Sequence, residues 1–418
     1  MRVIWLCNMI PSAVSQKIGK TAGGGLWVDH VLEDVRAQGE GSLLLLCPGK
    51  GHGGQLDEQV KYDFFSEKKP QKYQPDLEEL FLEELRSYQP DVIHIWGTEY
   101  GHTLAMVNAA KRSDLLDRVV ISIQGLCSVC ARHFSEGVPE WACRRRSLRD
   151  VLKHDNIRNQ QHQFAARGAL EQNALEQTRH VIGRTDWDRA TTGQIHPDRI
   201  YHFCNETLRT VFYQDTWQYE KCTKHRIFAS SCAYPVKGFH YLLEAMPLIL
   251  QRYPDAAIAV TGKSFLCGSR VQKLRRDYYH CYLARLAIRN GLEEKIQFLG
   301  CLDAQQMKAA FLEANVFVLP STIENSPNSL GEAMLLGVPC VAADVGGVRN
   351  MMQPGEGFIY QSTAPYMLAE YIMRVFEMQD QAEQMGAQAR KAALCTHDPE
   401  KNLSDLLNVY REIAKGAQ

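Results

Sequence analysis

The sequence has no excess of either charge, no long apolar run and no cysteine framework, and each absence removes a class of protein. Lys and Arg number 47 against 48 Asp and Glu, a formal net charge of −1. A chain so balanced lacks the global field of a nucleic-acid binder, so an anionic ligand must be recognised locally. No stretch approaches the roughly 18 apolar residues that a membrane-spanning helix needs. The first apolar run, Val3 to Cys7, is too short and too early for a signal-peptide core. The 13 cysteines are odd in number and scattered, several of them (Cys7, Cys47, Cys232, Cys340) inside expected strands or helices. That distribution suits reduced, buried thiols in a cytoplasm better than disulfides. Cys127, Cys130, His133 and Cys143 open with zinc-like Cys-x2-Cys spacing, but a matching second pair is missing and no metal is expected there.

What is present is an alternation of short apolar runs with amphipathic stretches, repeated twice over 418 residues. That length suits two domains of about 200 residues each. The expected class is α/β, two doubly wound Rossmann-like domains facing a cleft. The expected boundaries are 1–207 for the first domain, 208–225 for a polar, aromatic linker without clear period, 226–395 for the second, and 396–418 for a closing helix.

The second half contains the most informative stretch. Val316 to Leu319 reads as a buried parallel strand closed by Pro320, Ser329 to Leu336 as a helix, and Pro339 to Ala343 as the next strand. The polar loop between them lies beyond a strand's carboxyl end, where open parallel sheets bind ligands. The free amides of Asn328, Ser329 and Leu330 at the helix start form an anion site. Glu324 and Glu332 bracket it. Ser329 with Glu332 also fits a capping box, and Glu324 also fits a solvated loop acid.

This stretch, through Gly331-Glu332-Ala333-Met334 and Gly337-Val338-Pro339-Cys340-Val341, closely resembles the signature of family 4 glycosyltransferases. These are retaining enzymes of the two-Rossmann-domain GT-B type that use nucleotide-sugars. The resemblance implies that Glu324 lies against the transferred sugar, that Glu332 holds the ribose hydroxyls, and that the segment Ser326, Asn328, Ser329, Leu330 holds the diphosphate and sugar. Lys237-Gly238 matches the family's phosphate-binding Lys-Gly, whereas the family's arginine position falls near Ser230 or Ser231 and is vacant. Gly23-Gly24-Gly25, between the first strand and first helix, resembles the family's glycine loop, so Gly24 and Gly25 join the donor-binding candidates. Gln124 stands where many relatives carry a histidine; glutamine bonds hydrogen but does not titrate near neutral pH.

Glu99 and His102 follow the strand Val92 to Ile95 and are acceptor-side candidates, with simple packing an equal reading for His102. Trp141 with Arg144, Arg145 and Arg146 suits an anionic membrane surface, a phosphate-bearing acceptor or an ordinary solvated face. The expectation is a retaining glycosyltransferase, cytoplasmic or peripheral at the inner membrane face. It would move a sugar from a nucleotide-diphosphate donor to a glycan, lipid-linked or small-molecule acceptor, with catalytic Glu324 and Lys237, no cofactor and no divalent ion. A nucleotide-sugar epimerase or hydrolase of the same architecture, or a non-catalytic nucleotide-sugar-binding protein, is the alternative.

Overall fold

The computed structural model describes residues 1–416 except 20–26, 40, 70, 267 and 269–273. The chain divides into two compact units, Met1–Ala131 with Gln163–Thr207 and His397–Gln418, and Arg132–His162 with Leu208–Thr396.

The first unit is built on an 8-stranded sheet. Its strands are β1 (Arg2–Leu6), β2 (Ser42–Pro48), β3 (Gly54–Gln55), β4 (Val60–Phe65), β5 (Val92–Trp96), β6 (Val119–Ser122), β7 (His180–Gly183) and β8 (Ile200–Phe203). They lie in the order β3-β4-β2-β1-β5-β6-β7-β8, all parallel except the β3–β4 pair. Successive residues of each strand point to opposite faces, so both faces need cover. Ile4, Leu6, Leu44, Leu46, Ile93 and Ile95 pack on one side against Leu77, Phe81 and Leu85 of the helix Pro75–Tyr88. Val3, Trp5, Leu43 and Leu45 pack on the other against Leu406, Val409, Tyr410 and Ile413 of the helix Pro399–Gly416. The polar atoms trapped there are paired: Trp5 Nε1 donates to Tyr410 Oη at 2.9 Å, and His94 bridges Tyr410 and Ser122 at 2.6 and 2.7 Å. Burial pushes the His94 pKa down to about 3, so this bridge is a neutral imidazole.

The second unit holds a 6-stranded parallel sheet of β9 (Arg226–Ala229), β10 (Ala257–Val260), β11 (Ile296–Phe298), β12 (Val316–Leu319), β13 (Cys340–Ala343) and β14 (Phe358–Tyr360). Its order is β11-β10-β9-β12-β13-β14. The α/β doubly wound class expected from the alternation is therefore present in both units. Among the parallel strands of each sheet the order reverses once, between β1 and β5 in the first and between β9 and β12 in the second. Such switch points are where the connecting loops part and leave room for a ligand.

Several boundaries differ from the sequence reading. Residues 132–162, expected within the first domain, pack with the second unit. Glu136 O accepts from His240 Nε2 at 3.0 Å, Asp150 Oδ2 accepts from Tyr278 N at 2.9 Å, and Trp141 meets Tyr282 edge-on at 6.1 Å. The stretch 208–225 is not a free linker: Leu208, Phe212, Trp217 and Cys222 are buried in the second unit's core, and Trp217 Nε1 donates to Ala314 O at 2.7 Å. The polar, lysine-rich stretch after Asp57 contains β4, whose Val60 and Phe65 are buried beside β2 while Lys61 faces solvent. A helix runs from Tyr278 to Arg289, where Asp277 caps it by accepting from His280 N at 2.9 Å; Gln272 and Lys273 before it lie outside the described residues. The second unit also contains a helix at Pro365–Met378, which buries Leu368, Ile372 and Val375.

Candidate active site

At the second unit's switch point the loops after β9 and β12 are locked together. Gly238 has φ +63°, and a Cβ there would sit 1.7 Å from Pro320 O, so the close approach requires glycine. Thr322 N donates to Val236 O at 2.8 Å and Thr322 Oγ1 to His133 O at 2.9 Å. Gly346 supports the same loop from the other side: its Cβ would lie 1.9 Å from Glu324 O, and Gly347 N donates to that oxygen at 3.1 Å.

This backbone clamp brings Lys237 Nζ to 2.7 Å from Glu324 Oε1, which also accepts from Ser321 Oγ at 2.7 Å. The Lys237 side chain is 27% exposed and that of Glu324 12%, so the pair is reachable but shielded. Beside it the helix Asn328–Leu335 begins without a side-chain cap, its N-cap being Pro327. The capping box between Ser329 and Glu332 is therefore not formed. The Leu330 amide is not free either, since it donates to Pro327 O at 2.9 Å. The N–H groups of Asn328 and Ser329 precede the first intrahelical bond and remain for an anion, with Ser326 half-buried next to them.

Glu332 is 4% exposed and is engaged by a residue that sequence reasoning missed. Arg209 Nε meets Glu332 Oε1 at 2.7 Å and Arg209 Nη2 meets Oε2 at 2.8 Å. Burial pushes the Glu332 carboxyl up and the guanidinium opposes that shift. No signal near Arg209 marks it, because its partner lies far along the chain and only Phe212, under its guanidinium at 4.7 Å, is local.

The first unit's switch point carries its own polar cluster. Asn8 Nδ2, after β1, donates to Glu99 Oε2 at 2.5 Å, and Asn8 Oδ1 lies 2.8 Å from His102 Nε2. His102 is fully buried, with Nδ1 at 3.2 Å from both Glu67 oxygens, so a proton lies between ring and carboxyl. Burial raises the Glu99 pKa to about 7, with Glu171 adding to the rise. Glu171 is itself buried and accepts from Thr98 Oγ1, Cys127 N, Ser128 N and Ser128 Oγ. Asn8, Lys50, Ser66, Glu67 and Tyr100 line a cavity of about 380 Å³ at this edge. Glu99 and His102 thus belong to one cluster.

Gln124 belongs to another. Its Nε2 donates to Glu206 Oε1 at 2.6 Å, Glu206 pairs with Arg184, and His397 Nδ1 donates to Glu206 O at 2.7 Å. Burial pushes the His397 pKa down to about 4. Gly24 and Gly25 lie outside the described residues. Cys127 and Cys130 belong to the first unit and His133 and Cys143 to the second. Among the described residues no group of three or more His, Cys, Asp or Glu is placed to hold a metal ion. Asp186 and Asp188 have a chelating spacing, but Asp188 is spent on the Arg184 and Thr185 amides and the Tyr201 hydroxyl.

Residues 217–392 match the family model for glycosyl transferases group 1. An uncharacterized glycosyltransferase of Methanocaldococcus jannaschii is 32% identical over 117 residues, 28% of this chain and 26% of that protein. The phosphatidyl-myo-inositol mannosyltransferase of Mycobacterium tuberculosis is 27% identical over 202 residues, 47% of this chain and 49% of that protein. The chain thus spans less than half the length of these curated relatives. Among solved structures, sucrose-phosphate synthase from Thermosynechococcus elongatus superposes with a TM-score of 0.73 at 16% identity, covering 100% of both chains. Anabaena HepE in complex with UDP and glucose gives 0.67 at 17%, covering 99% of this chain and 100% of that one. These likenesses establish the fold, two parallel-sheet units of the GT-B kind.

Proposed function

We propose that this chain, which carries a glycosyl transferases group 1 domain over residues 217–392, is a retaining glycosyltransferase that takes its sugar from a nucleotide-diphosphate donor. The observation that carries this reading is the Lys237–Glu324 pair, held by glycine-dependent loops beside the open amides of Asn328 and Ser329. A cation, a carboxylate and helix-end N–H groups at one switch point match the needs of the reaction. The leaving diphosphate gains negative charge while the sugar gains positive charge, and fixed charges stabilise both better than water does.

In this mechanism Lys237 and the helix amides hold the departing diphosphate, without a divalent ion or other cofactor. Glu324 faces the sugar and favours its oxocarbenium character. The acceptor hydroxyl attacks from the face the diphosphate leaves, and its proton passes to the leaving phosphate oxygen. Glu332 takes the ribose hydroxyls. The cavity edged by Glu67 and Tyr100, with Glu99 and His102 behind it, receives the acceptor, because carboxylates and amides in a confined space suit a hydroxyl-rich molecule. Gln124, tied to Glu206, orients the surrounding loop rather than titrating.

The acceptor is lipid-linked on this reading, and the segment 132–162 supplies peripheral membrane contact. Trp141, Leu148, Val151 and Leu152 are exposed there, Leu152 to 76%. Arg145 lies over Trp141 and Arg146 is exposed beside it, whereas Arg144 is paired with Glu140 at 2.6 Å. Each such cation near an anionic surface contributes about 1 kcal/mol. Binding to phosphatidylglycerol vesicles should weaken strongly in Arg145→Glu/Arg146→Glu, and equal binding to neutral vesicles would refute the membrane contact.

The donor reading is tested by thermal unfolding with UDP, GDP, ADP and their sugars in the absence of metal. A ligand of the native state at a hundredfold excess over Kd adds about 2.7 kcal/mol of stability. One base should raise Tm, and Lys237→Ala should stay folded while losing turnover by orders of magnitude. Lack of any shift and of any donor consumption sinks the reading. Donor consumed with no acceptor required would favour the hydrolase or epimerase alternative.

A further inference from the structure

Arg209 and Glu332 form an ion pair more costly than packing alone needs. Their side chains are 17% and 6% exposed, and apolar residues of similar volume would fill such a site at no loss of stability. The pair is also unusually well fixed. Phe212, fully buried, stacks under the guanidinium at 4.7 Å, and the fork presents Nε and Nη2 to the two carboxylate oxygens at 2.7 and 2.8 Å. A planar fork of this kind sets both the position and the rotation of the carboxylate, which an ammonium does not. Each Glu332 oxygen spends one lone pair on Arg209 and keeps another for a hydroxyl. The guanidinium also opposes the upward push of burial on the Glu332 carboxyl, favouring the form that only accepts hydrogen bonds.

We propose that Arg209 is a positioning residue for the donor's ribose: through Phe212 and its two bonds to Glu332 it fixes that carboxylate to accept from the sugar hydroxyls, and so selects ribonucleotides over deoxyribonucleotides. The inference rests on the reading of this unit as the donor site. Arg209 touches Glu332 and acts through it. Its loss should weaken nucleotide binding and ribose discrimination while leaving the rate of the bound complex nearly intact.

The test is calorimetric binding of UDP, GDP and ADP and of their 2′-deoxy counterparts to the wild type, Arg209→Lys and Arg209→Met. The wild type should prefer the ribo form of its base by about tenfold or more, the worth of a hydrogen bond to a charged group. Arg209→Met should bring that ratio towards one and raise the donor KM by about tenfold, with kcat within about threefold. Arg209→Lys, which keeps the charge and the fold, should recover only part of the ratio. Full discrimination in Arg209→Lys and Arg209→Met overturns the inference while leaving the donor site standing. Equal binding of ribo and deoxy forms by the wild type overturns it too. Absence of binding by any of the nucleotides removes the donor reading itself, and this inference with it.

Discussion

Replacing Gly238 by alanine tests the loop clamp, and Gly291 supplies a matched control in the same unit. Both glycines occupy left-handed backbone, at φ +63° and +66°. An alanine in that region costs about 1–2 kcal/mol at either position. Their surroundings differ. At Gly291 a Cβ meets nothing within 4 Å, whereas at Gly238 it falls 1.7 Å from Pro320 O. Real Cβ contacts stay beyond 3.0 Å, so the Pro320 carbonyl or the Gly238 turn must retreat by 3.0 − 1.7 = 1.3 Å. Overpacking of that kind adds about 1–3 kcal/mol. For a unit of this size each kcal/mol lowers Tm by roughly 2–4 °C. Gly238→Ala should therefore melt about 2–12 °C below Gly291→Ala. Pro320 leads directly into Ser321 and Glu324, and a displacement near 1 Å at a reacting group costs on the order of 10²-fold in rate. Calorimetry and donor turnover on the two variants measure both effects. Equal Tm and equal turnover would show that the two loops are not clamped as described.

Two further outcomes follow from the first unit. Arg184 pairs with Glu206 in the interior, and Arg184→Met leaves that carboxylate buried and unpaired, which should cost about 3–5 kcal/mol. The double change Arg184→Met/Glu206→Leu should recover most of it, and a single variant as stable as the wild type in urea unfolding would contradict the network. Glu99 has a folded pKa raised to about 7 from an ordinary 4.5. Between those values the folded state holds the extra proton, so this group makes stability fall as pH rises from about 4.5 to about 7. The shift corresponds to at most about 3 kcal/mol. Glu99→Gln should flatten stability across that window, and an unchanged pH slope would refute the burial of an uncharged Glu99.

The elements legible in the sequence are those whose causes are local. β1, β12 and β13 are short apolar runs, and the helix starts at Thr185 and Asp303 carry side chains that cap within three residues. The loop with Glu324 and Glu332 was legible for the same reason, being one continuous strand, turn, helix and strand. β4 was missed because Lys61 and Asp63 interrupt the apolar run of a strand that buries only Val60, Tyr62 and Phe65. The capping box that Ser329 and Glu332 also fit is a local rule overridden by a distant one: Arg209 takes the carboxylate and Pro327 takes the cap position.

What the sequence by itself determined is therefore the α/β class, the repeated doubly wound pattern and the neighbourhood of the candidate donor site, since each follows from spacing within about one element. Only the tertiary structure decided that segment 132–162 packs with the second unit, that Asn8 joins Glu99 to His102 and Glu67, that Gln124 is spent on Glu206, and that Glu332 is held by Arg209. These pairs lie far apart in the chain, and the order of strands in each sheet brings them together. Strand order leaves no periodic trace in sequence, because parallel neighbours are chosen by crossover connections and shared burial rather than by adjacent residues.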